Sequence, residues 1–432
     1  MPYSKIVLLF FLFVFQYNLI PAQNPAPAPS QKNGVVITGA TAHIGSGEVI
    51  QNSIIIFENG KISLVGNADE IAAPKAANFE FIDATGKHVY PGLIALNSRL
   101  GLVEIDMVRA TQDFAEVGDF NPNVRSIIAY NTDAEVIPTV RSNGVLMAQV
   151  CPSGGLISGQ SSLVQLDAWN WEDAILQADG AVHLFWPNPV NFSFRQGRTS
   201  KNENYEKQVR SIEQFFEESK AYTYKNAPDI SNLKMEAMRG IFDGSKKLFV
   251  HASAALPIQE SVLLAEKFNI KPVVVGGKDS WMLTDFLKKH DVAVVLSETQ
   301  SLPSREDEDI DQPFKTPAIL QNAGILFAIT AEGSWQQFNL AFQAGQAVGF
   351  GLEKETALQA VTLNPAKILD MEKQIGSLEI GKDATLFISD GDALDMRGNN
   401  VTQAWIQGRK ISLDNKHKRL YQKFKTKYEQ QR

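Results

Sequence analysis

The chain has 432 residues, a net charge of −7 and the composition of an ordinary globular protein, with 44% hydrophobic and 21% charged residues. That length can bury a large core and predicts more than one domain. The negative charge gives no general attraction for nucleic acid, which argues against a nucleic-acid-binding protein. Because Cys151 is the single cysteine, an internal disulfide is excluded and the core must supply the stability.

The first 22 residues are typical of a secretory signal peptide. Lys5 precedes an apolar run over residues 6–15, and Ala22 offers a small residue for cleavage. A membrane anchor is the alternative, but the run is shorter than the ~20 apolar residues that a span needs. We expect cleavage after Ala22 and an exported protein, periplasmic or secreted, with no membrane span after the signal is removed.

The next two segments are a linker and a small β unit. Residues 23–33 are rich in Pro and Ala, and we expect them to be extended and disordered. Residues 34–88 read as strands, with Asn59-Gly60 between two β-rich runs as a hairpin signal. The glycines of residues 39–47 have the spacing of a dinucleotide-binding turn. Such a turn requires a helix directly after it, and an isoleucine-rich strand pattern follows instead.

The stretch that organises the rest of the chain begins at Val89. An apolar run passes through a Pro-Gly turn and ends in the polar residues Asn97 and Arg99. This pattern predicts the first strand of a β/α barrel, with its polar end on the face where such barrels carry out chemistry. The Gly- and Ser-rich residues 153–162 predict a loop or a mobile lid. Later barrel strands are predicted over residues 181–185, 247–252, 271–277, 292–296 and 324–330.

Three stretches resemble the amidohydrolase superfamily. Residues 91–94, Pro-Gly-Leu-Ile, resemble its opening strand, where Pro-Gly-Leu-Ile-Asp normally precedes a His-x-His pair. Residues 376–388 resemble its C-terminal β-sandwich strands, and residues 360–369 resemble imidazolonepropionase-like members. The resemblance implies an α/β fold, a TIM-like (β/α)8 barrel with a composite β-sandwich domain built from both ends of the chain. The implied domains are residues 34–88 with 377–412, the barrel at 89–376, and a basic tail helix at 413–432.

The resemblance also implies which residues would carry chemistry. The family hydrolyses C–N bonds with a metal-activated water, and its ligands lie on the first, middle, fifth, sixth and eighth strands. His251 takes the fifth-strand ligand position, and Glu332 takes the eighth-strand position of catalytic base and ligand. His183 on a middle strand is a further candidate ligand. Asn97 and Arg99 stand in place of the His pair and are expected to line the mouth or contact a substrate.

Because several ligand positions lack a suitable residue, the expected metal content is low. The sixth-strand position holds glycine, at Gly276 and Gly277, which offers no ligand. We expect at most one weakly bound divalent metal ion, zinc, near His251 and Glu332, with no bound metal as the alternative. A complete set would need an acid from the loop after the first strand, such as Glu104, Asp106 or Asp113. For Glu332 the alternative role is an ion pair with Arg99.

Two functions therefore remain open. The first is an exported amidohydrolase that cleaves a cyclic amide or peptide-like C–N bond through a reduced metal site. The second is a catalytically silent homologue that acts as a binding protein or as the partner subunit of an active relative. Either would bind a small molecule, and self-association or pairing with an active homologue stays open.

The acidic run over residues 305–311 would steer cationic substrates or be a solvated loop. The basic tail helix would pack on the body or touch an anionic surface.

Overall fold

The computed structural model describes residues 25–71, 78–193, 198–224, 231–303 and 305–430. The expected signal peptide, residues 1–22, lies outside the described residues. Among the helices that are described, none combines the length and the apolar character needed to cross a bilayer.

Strands dominate both ends of the chain, and strands and helices share its middle. The strands in chain order are β1 Gly34–His43, β2 Val49–Glu58, β3 Lys61–Asn67, β4 Phe79–Asp83, β5 His88–Pro91, β6 Leu93–Ser98, β7 Val145–Val150, β8 Ile157–Gln165, β9 Ile175–Phe185, β10 Val190–Ser193, β11 Arg198–Lys201, β12 Lys247–Ala252, β13 Pro272–Gly276, β14 Ala293–Leu296, β15 Phe327–Ile329, β16 Leu386–Ser389, β17 Val401–Ile406 and β18 Arg409–Lys410. The helices are α1 Val136–Arg141, α2 Trp171–Ala174, α3 Tyr205–Thr223, α4 Leu233–Asp243, α5 Ala255–Lys267, α6 Thr284–Lys289, α7 Gln312–Ala323, α8 Leu340–Val348, α9 Lys354–Gln359, α10 Leu363–Ile368 and α11 Lys416–Glu429. Short 3₁₀ turns lie at Arg109–Thr111, Ser126–Ala129, Ser280–Met282 and Trp335–Asn339.

One eight-stranded sheet combines strands from the two ends of the chain. Its order is β18-β17-β16-β5-β1-β2-β3, with β4 paired to β1. β16 joins the two ends because it pairs antiparallel with β5, where Leu386 lies opposite Pro91. Phe57 from the N-terminal part and Trp405 from the C-terminal part meet edge to face in the core, 5.7 Å between ring centroids. The predicted composite β domain is confirmed.

The hairpin predicted from Asn59-Gly60 is present between β2 and β3. Asn59 and Gly60 both have positive φ, 51° and 78°, as a two-residue hairpin turn of this hand requires. The glycine-rich residues 39–47 are followed by β2 rather than by a helix. No helix N-terminus is therefore available there for a pyrophosphate, and the dinucleotide alternative is wrong.

The second eight-stranded sheet is the barrel, with the order β15-β14-β13-β12-β9-β8-β7-β6. Its strands run parallel except for β8, which is antiparallel to both neighbours. The ends of the sheet are tied together because Thr330 Oγ1 donates to the carbonyl of Leu96 and Arg99 N donates to the carbonyl of Gly333. The predicted α/β barrel fold is confirmed, with one reversed strand.

The reversed strand corrects the prediction for residues 153–162. They were expected to form a loop or a lid, but β8 begins at Ile157, and all its residues are buried. Only a short turn separates β7 from β8, and a parallel pair needs a crossover of a dozen or more residues. The short connection therefore dictates a hairpin, which places β8 antiparallel in the barrel wall.

The Pro/Ala linker is docked on the body, which corrects the expectation of disorder for its described part. Ala28 N donates to Asp167 Oδ2 at 2.8 Å, and Arg409 Nη1 donates to the carbonyl of Ala28 at 3.1 Å. Further along, Gly60 N donates to Gln31 Oε1 at 2.8 Å. Backbone hydrogen bonds thus fix an extended segment whose composition predicts flexibility.

The buried face of β6 provides a direct test of the barrel core. Leu93 is fully buried in the main core, and its N–H donates to the carbonyl of Gly144 at 3.0 Å. Leu93→Ala removes buried methyl groups and leaves a cavity, so the free energy of unfolding should fall by at least about 2 kcal/mol. Urea denaturation followed by circular dichroism measures the loss. A change below about half a kcal/mol would place Leu93 outside the cooperative core.

Candidate functional site

The candidate site is a cavity at the carboxyl ends of the barrel strands. Its volume is about 450 Å³, within the range of small-molecule sites. Residues from successive strand ends and loops line it, because parallel strands bring their carboxyl ends to one face. The lining side chains that can act chemically are His251, Lys278, Asp279, Arg305 and Glu332, with Phe185 and Trp186 as aromatic walls.

Two candidate ligands, His183 on β9 and His251 on β12, are in direct contact. The parallel register sets Phe249 beside His183 and Phe185 beside His251. His183 Nδ1 and His251 Nε2 are 2.9 Å apart, so one proton is shared between the rings as a hydrogen bond. The other nitrogen of His183 is 2.7 Å from Ser161 Oγ on β8. Both nitrogens of His183 are therefore engaged within the barrel.

Burial keeps both imidazoles neutral. His183 is fully buried, and this desolvation lowers its pKa to about 3. Burial also lowers the pKa of His251 well below its usual value, and the charges of a protonated His183 and of Arg99 lower it further. The pair is a neutral, hydrogen-bonded unit at physiological pH.

Glu332 lies in the same cavity, after β15, and is exposed. Its Oε1 accepts a hydrogen bond from Ser297 Oγ at 3.1 Å, and its backbone N–H donates to Glu298 Oε1 at 2.6 Å. These contacts hold the carboxylate at the mouth without a cationic partner of its own among the described ion pairs.

Arg99 does not pair with Glu332 within 4 Å, so the alternative role predicted for Glu332 is wrong for the described residues. The guanidinium instead stacks over the ring of Phe114 at 4.3 Å, and Nη2 donates to Ser153 Oγ at 3.3 Å. A cation over an aromatic face is stabilised electrostatically. Arg99 is half-buried at the first-strand end, where it places a fixed positive charge near His251.

Asn97, near the end of β6, has a left-handed backbone conformation. Its φ is 50°, in the left-handed region that Asn tolerates better than most residues, and the strand is bulged between Ala95 and Ser98. Its N–H donates to Gln149 Oε1 at 3.2 Å. Asn97 is half-buried and is not among the residues that line the cavity.

The acids proposed to complete a metal set lie elsewhere. Glu104 Oε1 accepts from Asn131 Nδ2 at 2.7 Å, while Asp106 is exposed. Neither of these acids, nor Asp113, lines the cavity. Loop geometry between β6 and β7, which the sequence pattern does not predict, directs them away.

The sequence analysis missed an ion pair between two residues that line this cavity. Asp279, after β13, is buried and accepts from Arg305 Nη1 at 2.7 Å. Its other oxygen accepts from Ala255 N at 3.0 Å, at the start of α5. Arg305 itself is exposed, and its Nε also pairs with Asp307 Oδ1 of the acidic run at 3.5 Å. A charged residue directly after a parallel strand was the available signal for Asp279.

Comparisons with known proteins agree with this architecture. The model of the amidohydrolase family matches residues 281–411. The chain is 23% identical over 392 residues to an imidazolonepropionase of Treponema denticola, covering 83% of this chain and 91% of that protein. An amidohydrolase from Thermotoga maritima shares its fold with a TM-score of 0.75 at 23% identity, covering 88% of this chain and 99% of its own. The chain is thus similar to amidohydrolases in sequence over residues 281–411 and in fold over most of its length.

Other solved structures share the fold of this chain at lower identity. A Xaa-Pro dipeptidase with bound methionine has a TM-score of 0.55 at 13% identity, covering 88% of this chain and all of its own. At such identities the likeness shows the fold alone.

Amidohydrolases usually bind a divalent metal, so the donors present here can be tested for fit. Within the described residues, no three His, Cys, Asp or Glu side chains are grouped to hold one ion. The facing nitrogens of His183 and His251 are hydrogen-bonded to each other. A side chain that could act as a ligand is also not readily accommodated at Gly276. Its φ is +99°, and a Cβ there would lie 2.6 Å from Ser253 Oγ. A catalytic zinc needs about three protein ligands, so this donor set does not fit one.

Proposed function

We propose that this chain is an exported amidohydrolase homologue that binds a small polar molecule in its barrel mouth and has lost metal-assisted hydrolysis. The observation that carries the proposal is the hydrogen bond between His183 and His251, at the positions where metal ligands would be expected. Export rests on the signal-like residues 1–22.

The surroundings of the pair support the same conclusion. Asn97 and Arg99 replace the two first-strand ligands, and Arg99 adds a permanent charge that repels a divalent cation. Asn is a weak zinc ligand in comparison with imidazole or carboxylate, and glycine contributes no side chain. Three of the usual ligand positions therefore lack a suitable donor.

The cavity itself is suited to a small polar ligand. It offers the carboxylate of Glu332, the ammonium of Lys278 and the aromatic surfaces of Phe185 and Trp186. Groups of both charges beside apolar walls can orient a molecule that carries polar and planar parts. A ligand of this kind would be bound by hydrogen bonds and stacking, without bond cleavage.

Hydrolysis of a cyclic amide or peptide-like C–N bond is the second candidate. The specific observation in its favour is that His251 and Glu332 line one cavity, together with the likeness to an imidazolonepropionase. In this case Glu332 would act as general base, and its exposed carboxylate is placed to receive a proton.

Metal content separates the two candidates. After dialysis against a chelator and re-exposure to zinc, the wild-type protein should hold less than one ion per chain, as measured by elemental analysis. Asn97→His combined with Arg99→His adds two imidazoles and removes the cation, so zinc occupancy should rise towards one per chain. Arg99→Gln is the matched control, because it removes the charge without adding a ligand, and occupancy should stay low.

A high metal content in the wild-type protein would favour the second candidate. Two tightly held ions per wild-type chain, lost in His251→Ala, would contradict the binding-protein proposal and favour the hydrolase.

A further inference from the structure

The tail helix α11, Lys416–Glu429, presents an uncovered apolar face. None of its residues is buried. Its large apolar side chains are exposed to 42% for Leu420, 69% for Tyr421, 47% for Phe424 and 61% for Tyr428. The spacing of four residues between Leu420, Phe424 and Tyr428 places them along one stripe, with Tyr421 beside it.

Basic residues flank this stripe on both sides. On a helical wheel, Lys423 and Lys427 border it near Leu420, and Lys418 and Lys425 border it near Tyr421. The helix carries six Lys and Arg against the single acid Glu429, whereas the whole chain has a net charge of −7. Lys423 and Lys427 take part in none of the described ion pairs. A local excess of positive charge in an acidic chain therefore lies at the edge of an exposed apolar stripe.

The first turn of the helix is fixed to the barrel. Asn415 is buried, its Nδ2 donates to Ser142 Oγ at 3.0 Å, and its Oδ1 caps Lys418 N at 2.9 Å. Lys416 pairs with Glu135 at 2.8 Å, and the ring of His417 lies 5.7 Å from that of Trp335. The helix thus begins at a defined place on the body, and its apolar stripe faces outward beyond these contacts.

We propose that α11 lies on the surface of an anionic lipid bilayer, with its apolar stripe in the headgroup boundary and its lysines on the lipid phosphates. A helix with an aromatic and aliphatic stripe, basic flanks and low overall hydrophobicity has the composition of an interfacial helix. Tyr side chains suit that boundary because one end is apolar and the other polar. The attraction between lysines and acidic headgroups selects anionic membranes.

A second copy of this chain fits the stripe less well. Pairing two such helices face to face would bring their basic flanks together, and the like charges would repel. An anionic bilayer instead complements the flanks and the stripe together. Binding to the surface would hold the whole barrel at the membrane through the fixed first turn.

The test is sedimentation of the purified full chain with vesicles. Vesicles of equal parts phosphatidylglycerol and phosphatidylcholine should carry the protein down, and vesicles of phosphatidylcholine alone should not. Lys423→Gln with Lys427→Gln should weaken binding about 25-fold at low salt, since each basic residue contributes roughly fivefold. Leu420→Ser with Phe424→Ser should weaken it at least about tenfold through lost apolar burial.

The matched control is Lys207→Gln with Lys289→Gln, which removes two exposed lysines from α3 and α6 and should leave binding unchanged. All the altered side chains are exposed, so circular dichroism and thermal melting should match wild type. Equal binding to neutral vesicles, binding to neither kind, or equal loss in the control would overturn the proposal. A dimer in sedimentation velocity that Leu420→Ser with Phe424→Ser dissolves would assign the stripe to a second copy instead.

Discussion

Asp167→Ala should lower the free energy of unfolding by about 3–5 kcal/mol, because it leaves two guanidinium groups without their buried partner. Asp167 has 1% of its side chain exposed and accepts hydrogen bonds from Arg141 and from Arg409 Nη1, the latter at 3.1 Å. It also accepts from the N–H of Ala28. The carboxylate therefore ties the barrel, the C-terminal strand β18 and the docked linker to one another.

The control for this prediction is an ion pair of similar chemistry on the surface. Asp291 pairs with Lys271, but both side chains are largely exposed, at 86% and 61%. Asp291→Asn should change the stability by less than about 1 kcal/mol, because water screens exposed pairs and Asn tolerates the positive φ of 51° at this position. Urea denaturation of both variants gives the comparison. Equal and small losses would show that Asp167 is not needed to neutralise Arg141 and Arg409.

Local signals in the sequence were sufficient for much of the fold. Asn59-Gly60 specifies a turn that few other dipeptides form. The Pro-Gly turn before Leu93 separates β5 of the composite sheet from β6, the first strand of the barrel. β8 could not be predicted in the same way. Its sequence, Ile-Ser-Gly-Gln-Ser-Ser-Leu-Val-Gln, lacks alternation because both of its faces are buried, and its polar residues hydrogen-bond inside the wall.

The candidate site was only partly accessible from the sequence. The resemblance to amidohydrolases identified His251 and Glu332 as residues of one strand-end face, and both line the cavity. The contact between His183 and His251, which are 68 residues apart, depends on the register of β9 against β12. Local patterns do not encode that register. Arg99 likewise turns to Phe114 because of a long loop whose path is set by tertiary packing.

The docked linker shows that composition alone does not predict whether a segment is ordered. Composition predicts the conformational freedom of an isolated Pro/Ala segment, and it does not include the partners that the folded body supplies. Asp167 and Arg409 provide an acceptor and a donor for the backbone of Ala28. Side chains remote in sequence therefore order a segment that looks disordered by composition.

Acid should destabilise the protein through the buried imidazole of His183. Its pKa is lowered from 6.5 to about 3 by burial, so the unfolded chain takes up this proton first as the pH falls. Between these two values the unfolded state binds more protons, and stability declines with decreasing pH. From pH 7 to pH 4 the contribution of His183 should be a loss of roughly 3 kcal/mol. His251, whose pKa is lowered in the same direction, adds to the loss.

The measurement is urea unfolding of the chelator-treated protein at several pH values, for wild type and for His183→Gln. Gln keeps a hydrogen-bonding side chain beside Ser161 but does not titrate, so the stability difference between the two proteins isolates His183. Wild type should lose more stability than the variant on acidification, because carboxylates that titrate in the same range affect both proteins alike. His417→Gln, at an exposed position in the first turn of α11, is the matched control and should follow wild type. A stability difference between wild type and His183→Gln that stays constant from pH 7 to pH 4 would show that His183 gains its proton as readily in the folded state as in the unfolded one.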